Sequence, residues 1–249
     1  MIRISDLTAY LKCPRMCYFM NKGHELTKEA SVEYIQRMLL KEMAMIYGTA
    51  LNDGNTLSVL YHELDRLSNE LRIIYRKELA EASDDLLQNA VSGVRVLLEG
   101  ISSNLSSEHY SKTFELEPGL RSEKFGLTGN PDKLVTIGNE IAPSIIKTGA
   151  MPENGVWKSD RLQLTAYAIL VEEIYNTVVI RGFVEYARWG IVREVMIKRH
   201  ERRKVLQLRD RVRRIEEGFM PEKPKDAPCE RCGFNGICDV KSTLASRFF

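Results

Sequence analysis

Two charged residues in the second half of the chain have types and spacing suited to work on a phosphodiester. Asp132 precedes an alternating apolar run, Lys133 to Ile137, and Lys147 follows a second run, Ile141 to Ile146. Gly138-Asn139-Glu140 separates the runs, which predicts two strands joined by a tight hairpin. This hairpin would bring a carboxylate and an ammonium to one end of a sheet, where a divalent cation and a phosphate can be held together.

Two further polar residues follow on a predicted helix. Gln163 and Tyr167 stand four apart, so they share one helix face packed over the same end of the sheet. Asp132, Lys147, Gln163 and Tyr167 are therefore the predicted catalytic residues of a metal-dependent phosphodiesterase core.

A second constellation is a group of cysteines near the C-terminus. Cys229, Cys232 and Cys238 form a C-x₂-C-x₅-C run, and Gly233 and Gly236 let the backbone fold around a metal centre. Five cysteines in a chain without a signal-peptide pattern favour a metal centre over disulfides. Three thiolates leave a fourth ligand position open, and spacing alone does not separate zinc from iron.

The order of these motifs resembles the RecB-like branch of the PD-(D/E)xK nucleases. The pattern is Gly-x-x-Asp at Gly129 to Asp132, then a strand ending in Lys147-Thr-Gly149, then Gln-x-x-x-Tyr at Gln163 to Tyr167. With the cysteines, the chain looks most like the Cas-four-like exonucleases, the iron-sulfur nucleases of CRISPR adaptation, over almost its whole length.

The resemblance implies an iron-sulfur cluster, usually [4Fe-4S] and sometimes [2Fe-2S], with Cys13 as the fourth ligand to the C-terminal triplet. Structural zinc stays open as the alternative, and Cys17 is interpreted as a buried packing residue. The family also implies Mg²⁺ or Mn²⁺ in the nuclease site, a DNA substrate that is single-stranded or has frayed ends, and CRISPR integrase proteins as partners.

The chain departs from the family pattern at two metal-ligand positions. Ile145 stands where the family has a glutamate, and isoleucine cannot coordinate Mg²⁺ or Mn²⁺. Asn52 stands where the family has a histidine, and its carbonyl oxygen is a weaker ligand. Either the site has decayed, or a neighbouring acid replaces the glutamate: Asp160 on the following helix, or Glu115 or Glu117 before the hairpin.

Two functions therefore remain open. One is a Cas-four-like metal-dependent DNA exonuclease, attenuated or compensated at its site. The other is a catalytically inactive nuclease-fold subunit that binds DNA or supports an assembly.

The predicted fold is α/β, with a restriction-endonuclease-like mixed sheet flanked by helices. Further strands are expected over Ser111 to Leu120, Val178 to Tyr186 and Ile191 to Ile197, with a helix over Asp160 to Tyr175. Ser5 or Asp6 is the expected N-cap of the first helix. The predicted units are an N-terminal segment (1–28), an inserted helical region (29–110), the nuclease core (111–220) and the cysteine motif (221–249).

The composition gives weaker indications of the protein's location and partners. The 249 residues include no apolar run approaching membrane-spanning length, so a cytoplasmic protein without membrane contact is expected. The net charge of +2 is too small to indicate a nucleic-acid partner by itself. The basic helix predicted over Arg199 to Glu217 is the candidate DNA-contact element, although a solvated face is the alternative. The residues proposed to contact DNA are Arg202, Arg203, Arg209 and Arg213.

Overall fold

The computed structural model describes residues 1–24, 30–51, 54–105 and 112–238, which form a mixed α/β fold with two mixed sheets. The helices are α1 (Ile4–Lys12), α2 (Pro14–Asn21), α3 (Val32–Ala50), α4 (Thr56–Ile74), α5 (Asp84–Arg95), α6 (Leu98–Asn104), α7 (Lys158–Ile174), α8 (Arg199–Glu216) and α9 (Asn235–Cys238). The strands are β1 (Ile2–Arg3), β2 (Lys112–Leu116), β3 (Leu120–Ser122), β4 (Leu127–Gly129), β5 (Lys133–Ile137), β6 (Glu140–Lys147), β7 (Arg181–Tyr186) and β8 (Ile191–Met196).

The main sheet has five strands in the order β2-β5-β6-β7-β8, with β6 at its centre. The predicted hairpin is confirmed as the antiparallel pair β5 and β6, in which Lys133 pairs with Ser144. Its turn is one residue shorter than predicted, because Glu140 already pairs with Ile137. Gly138 has a φ of 58°, a left-handed conformation that glycine adopts without steric cost.

Strands β6 and β7 are parallel, and the intervening α7 forms the crossover between them. The predictions of α7, β7, β8 and α8 are confirmed, with ends that differ by at most three residues. Alternate residues of β6 point to opposite faces of the sheet, and Ile145 belongs to the core shared with α7, whereas Ile146 belongs to the core of the α3–α6 helices. The central strand is therefore covered by helices on both faces.

The second sheet has three strands in the order β1-β4-β3, and the sequence did not predict it. The expected single strand over Ser111 to Leu120 is wrong in its second half, because Leu120 begins β3 and pairs with Gly129 in this other sheet. The predicted N-cap is also corrected. Helix α1 begins at Ile4, and Asp6 lies in its first turn, where its carboxylate accepts a hydrogen bond from the Arg3 backbone N–H.

The helical region has its own hydrophobic core, built from the leucine and methionine stripes of α3 and α4. Ser83 is the N-cap of α5, because its side chain accepts a hydrogen bond from the Leu86 N–H. Asn55 likewise caps α4. Within the described residues, no helix combines the length and apolar character needed to cross a bilayer.

A buried ionic network joins three neighbouring strands of the main sheet. The Lys133 ammonium lies 2.7 Å from the Glu185 carboxylate and also donates to the Ala44 carbonyl, at 2.7 Å. The other Glu185 oxygen accepts from the Ser144 hydroxyl at 2.6 Å. Both charged side chains are almost completely buried, at 2% and 4% exposure. Each charge therefore depends on its partners rather than on water for stabilisation.

We expect Lys133→Met to lower the free energy of unfolding by roughly 3–5 kcal/mol, because the variant leaves the Glu185 carboxylate buried without its cation. The measurement is urea denaturation followed by circular dichroism. The matched control is the double variant Lys133→Met with Glu185→Leu, which removes both charges and should regain part of that loss. A single variant within about 1 kcal/mol of wild type would show that the buried pair contributes no more than an exposed one.

Candidate active site

Three charged residues predicted for the site lie at one end of the main sheet. Asp132 and Lys147 are at the end of the β5–β6 hairpin, and Asp160 is in the first turn of α7. Asp132 immediately precedes β5, and one of its carboxylate oxygens accepts a hydrogen bond from the Ile146 backbone N–H at 2.7 Å. Extending the register by one residue places Asp132 opposite Ile145. The Asp132 carboxylate is thus fixed beside the backbone of the residue that precedes Lys147.

Lys147 is oriented by two side chains from α7. Its ammonium donates to the Gln163 side-chain oxygen at 2.6 Å and lies 3.0 Å from the Asp160 carboxylate. The structure therefore brings the predicted lysine and glutamine into direct contact. Because Asp160 and Gln163 are three apart on one helix, both can reach the same ammonium.

Tyr167 completes the arrangement, but its hydroxyl has a structural partner. It donates to the Asn130 carbonyl at 2.9 Å, in the loop that leads into Asp132. Burial raises the pKa of Tyr167 to about 12, while a hydrogen bond to Gln163 opposes the rise and the charge of Asp132 adds to it. Tyr167 is therefore a neutral phenol that positions the Asp132 loop against α7.

A lysine that the sequence did not single out binds two carboxylates at the site. The Lys41 ammonium, on α3, lies 3.2 Å from Asp132 and 3.1 Å from Glu117. Burial lowers the pKa of Lys41, but Asp132 and Glu117 outweigh that effect and the net change is upward. Asp132 and Glu117 therefore converge on one cation, and here that cation is an ammonium.

Glu117 has an unusual backbone conformation. Its φ is 44°, in the left-handed region that residues other than glycine seldom adopt, and its N–H donates to the Asp132 carbonyl at 3.0 Å. This turn after β2 aims the Glu117 side chain toward Lys41 and Asp132. Of the acids considered as replacements for the missing glutamate, Glu117 is the one that meets Asp132 across a shared cation.

The other sequence candidates have different surroundings. Glu115 accepts from the Tyr175 hydroxyl at 2.9 Å, and Asp160 is paired with Lys147. Ile145 is 1% exposed and packs in the core with α7, so an apolar side chain fills the expected carboxylate position. Asn52 lies outside the described residues.

The four cysteines predicted as cluster ligands lie around one cavity. Cys13, at the junction of α1 and α2, lines this cavity together with Cys229, Cys232 and Cys238. Phe19 and Phe234 add apolar surface, and a few polar side chains, Arg15 among them, complete the lining. Within the described ranges, no three His, Cys, Asp or Glu side chains are grouped closely enough to form a site for a single metal ion. The cavity nevertheless gathers all four thiols between the α1–α2 junction and the segment that follows α8.

Arg15 reinforces this junction. Its buried guanidinium donates to the carbonyls of Pro221, at 3.2 Å, and Cys238, at 2.7 Å, and lies 3.7 Å from the Cys238 sulfur. Cys17, by contrast, is fully buried in the main core, and burial raises its pKa to about 12. The interpretation of Cys17 as a packing residue is confirmed.

The arginines proposed for DNA contact on α8 divide into two groups. Arg202 donates to both oxygens of Glu172 and to the Val179 carbonyl, and Arg209 donates to the Phe125 carbonyl and to Asp210. Arg213 lies 3.9 Å from Asp210. Arg203 is exposed on a different face of the helix. Two of the four guanidinium groups are therefore committed to holding α8 against its neighbours.

A mixed sheet whose central hairpin and crossover helix present an Asp, a Lys and a Gln at one end defines the class of restriction-endonuclease-like nuclease folds. The family model of the PD-(D/E)XK nuclease superfamily matches residues 4–239. The chain belongs to the PD-(D/E)XK nuclease superfamily.

Individual proteins with a similar sequence or fold share a low percentage of identical residues with this chain. An uncharacterized protein of Archaeoglobus fulgidus is 26% identical over 250 residues, which covers 100% of both chains. A solved structure from Eubacterium rectale, of a protein named as a candidate exonuclease, has a TM-score of 0.48 and 11% identity, and the match covers 97% of this chain and 89% of that one. The family assignment depends on the family model.

Removing the Lys41 charge should expose the carboxylate pair to metal. We expect Lys41→Met to raise the affinity for Mn²⁺ by about tenfold or more, because Asp132 and Glu117 then lack a counter-charge. Titration of free Mn²⁺ by electron paramagnetic resonance measures this directly. Lys41→Arg keeps the charge and should behave like wild type. Equal Mn²⁺ affinity in Lys41→Met and wild type would show that the ammonium does not compete with a metal.

Proposed function

We propose that this chain is a Cas-four-like, metal-dependent DNA exonuclease that acts on single strands or frayed ends. The observation that carries the proposal is the contact of Lys147 with Gln163 and Asp160 beside the Asp132 and Glu117 carboxylates. Membership in the nuclease superfamily supports phosphodiester hydrolysis, and the cysteine motif supports the narrower assignment.

Asp132 and Glu117 are the residues that would hold Mg²⁺ or Mn²⁺. Both present carboxylate oxygens, the ligands that these hard cations prefer, and both already approach one positive charge within 3.2 Å. When bound, a divalent cation polarises a phosphoryl oxygen and lowers the pKa of a bound water. The donor set therefore fits a divalent cation once the Lys41 ammonium withdraws.

The protein side chains supply orientation and charge. Gln163 and Asp160 hold the Lys147 ammonium, which can stabilise negative charge that develops on the phosphate. The Ile146 N–H holds Asp132, and Tyr167 fixes the loop that carries it. Since Lys147 and Asp132 are both anchored to regular elements, these two side chains are positioned before the substrate arrives.

A nuclease-fold subunit that binds DNA or supports an assembly without cutting is the second candidate. Two observations favour it: Ile145 fills the position of the family glutamate, and the Lys41 ammonium lies between the two carboxylates that remain. In this case the fold would contribute a binding surface and no hydrolysis.

A nuclease assay separates these candidates. We expect labelled single-stranded DNA to be degraded in the presence of Mn²⁺, with at least a hundredfold loss of rate in Asp132→Ala and in Lys147→Ala, since electrostatic groups at such sites contribute about that much. Ser103→Ala, on the exposed side of α6, is the control. DNA binding without Mn²⁺-dependent cleavage by the wild type would favour the assembly subunit.

Restoring the family residue tests whether Ile145 limits the rate. We expect Ile145→Glu to increase Mn²⁺-dependent cutting, because the new carboxylate would lie opposite Asp132 and beside Lys147. Ile145→Gln has the same shape without the charge and is the matched control. If both variants fold, as judged by circular dichroism, and cut equally, the missing carboxylate does not limit cleavage.

An iron-sulfur cluster, [4Fe-4S] or [2Fe-2S], is proposed for the cysteine cavity. Its support is the convergence of Cys13, Cys229, Cys232 and Cys238 on one apolar cavity, with Arg15 beside Cys238. Iron-sulfur clusters are held by four thiolates, and apolar surroundings limit access of solvent. Zinc accepts the same four ligands, so the two metals need a direct comparison.

We expect the anaerobically purified protein to be brown and to contain iron, with the visible absorption lost in Cys232→Ala. Cys17→Ala is the matched control and should keep the colour, because Cys17 lies in the main core. Metal analysis accompanies the spectra. A colourless wild type with stoichiometric zinc would overturn the iron assignment.

The resemblance also supports a cytoplasmic location and CRISPR integrase proteins as partners. Both follow from the proposed family rather than from a surface of this chain. Co-purification of the tagged protein with integrase subunits is the measurement that bears on them.

A further inference from the structure

One face of α8 carries a stripe of basic side chains that the contacts described above do not use. His200, Arg203, Lys204, Gln207 and Arg211 line an open groove, with Leu208 as its floor. Their spacing of three, four and seven residues places them along one side of the helix. The same helix uses its other faces for packing and for the contacts of Arg202 and Arg209.

The cations of this stripe have no acidic partner among the described residues. The ion pairs made by α8 involve Arg202, Arg209, Arg213 and Glu201, and none includes Arg203, Lys204 or Arg211. Burial lowers the pKa of Lys204, and the neighbouring charges of Lys158 and Arg211 lower it further. The positive charges are therefore crowded against one another instead of being neutralised within the protein.

The stripe continues to the site through Lys158. This residue opens α7, which packs against α8, and its positive charge acts on Lys204. Asp160, which holds Lys147, lies two residues further along the same first turn of α7. Lys158 and Asp160 are about 3 Å apart along the axis of α7 and project from opposite sides of it, so the stripe reaches the same end of α7 that holds Lys147.

We propose that Arg203, Lys204, Arg211 and Lys158 form a phosphate-binding tract that guides the backbone of a nucleic-acid strand to or from the Lys147 end of the site. Unneutralised cations in a row complement the regularly spaced charges of a phosphodiester backbone and read no sequence. The identity of the polyanion rests on the proposed nuclease function, whereas the tract itself rests on the geometry of α8 and α7.

Binding of a labelled single-stranded oligonucleotide in EDTA, followed by fluorescence anisotropy over a range of salt concentrations, tests the tract without cleavage. The double variant Arg203→Ala with Lys204→Ala should bind at least tenfold more weakly at low salt. The slope of log affinity against log salt should fall by about 1.4, which corresponds to two phosphate contacts on a single strand. The matched control is Arg76→Ala with Lys77→Ala, which removes the same Arg-Lys pair from an exposed position in the helical region.

Unchanged affinity in the Arg203 and Lys204 variant would overturn the tract, and so would an equal loss in both double variants, which would indicate a general charge effect. Flotation with vesicles containing anionic lipid covers another source of phosphate. If the Arg203 and Lys204 double variant lost binding to these vesicles but kept its binding to DNA, the stripe would be assigned to a membrane surface and the proposal would be refuted. EDTA suppresses metal-dependent cleavage, so the binding assay does not depend on nuclease activity. A wild type that binds DNA through the tract in EDTA but does not cut DNA with Mn²⁺ would therefore refute the nuclease proposal and leave the tract unaffected.

Discussion

The register of β6 between its two neighbours is the constraint on which the site depends. Pairing with β5 on one side and β7 on the other fixes which side chains face α7 and which face α3. A slip of one residue would exchange the two faces and turn Lys147 away from Gln163. The buried contacts of Glu185 with Lys133 and Ser144 oppose such a slip, because they join three strands. A slip would separate these polar groups in a buried environment, where water could not replace the lost hydrogen bonds. The ionic network beneath the sheet and the polar site at its end are thus consequences of one alignment.

The site carries its charges in compensated groups rather than as a bare acidic cluster. Lys41 pairs with both Asp132 and Glu117, which leaves one negative charge over, and Lys147 pairs with Asp160. Ile145 adds apolar packing at the position where the family pattern has an acid, and the carboxylate that shares Lys41 with Asp132 comes from the turn after β2. The left-handed backbone at Glu117 is a local cost, and the Glu117 N–H contact with the Asp132 carbonyl offsets part of it. The carboxylate pair is therefore built from the ends of two strands that adjoin in the sheet.

The parts of the fold that short-range patterns determine could be predicted from the sequence. Alternation and a glycine turn indicated the hairpin, and the four-residue spacing of Gln163 and Tyr167 placed both on the face of α7 that meets it. The contact between Lys41 and Glu117 joins residues 76 positions apart, and no periodicity marks either of them. The three-stranded sheet escaped prediction because β1 has only two residues, and its parallel pairing with β4 depends on tertiary packing.

The contacts of Arg15 with the segment after α8 also help to position α8. Helix α2 packs against α8, and Arg15 ties α2 to Pro221 and Cys238 in the segment that follows α8. On its other side α8 is held by Arg202 at Glu172 and by Arg209 at the Phe125 carbonyl. These contacts fix the rotation of α8 about its axis, and that rotation decides which basic side chains face solvent. The arginines that hold the helix are thus separate from the cations left exposed, which is why the overall charge of α8 is a poor guide to the residues that contact an anion.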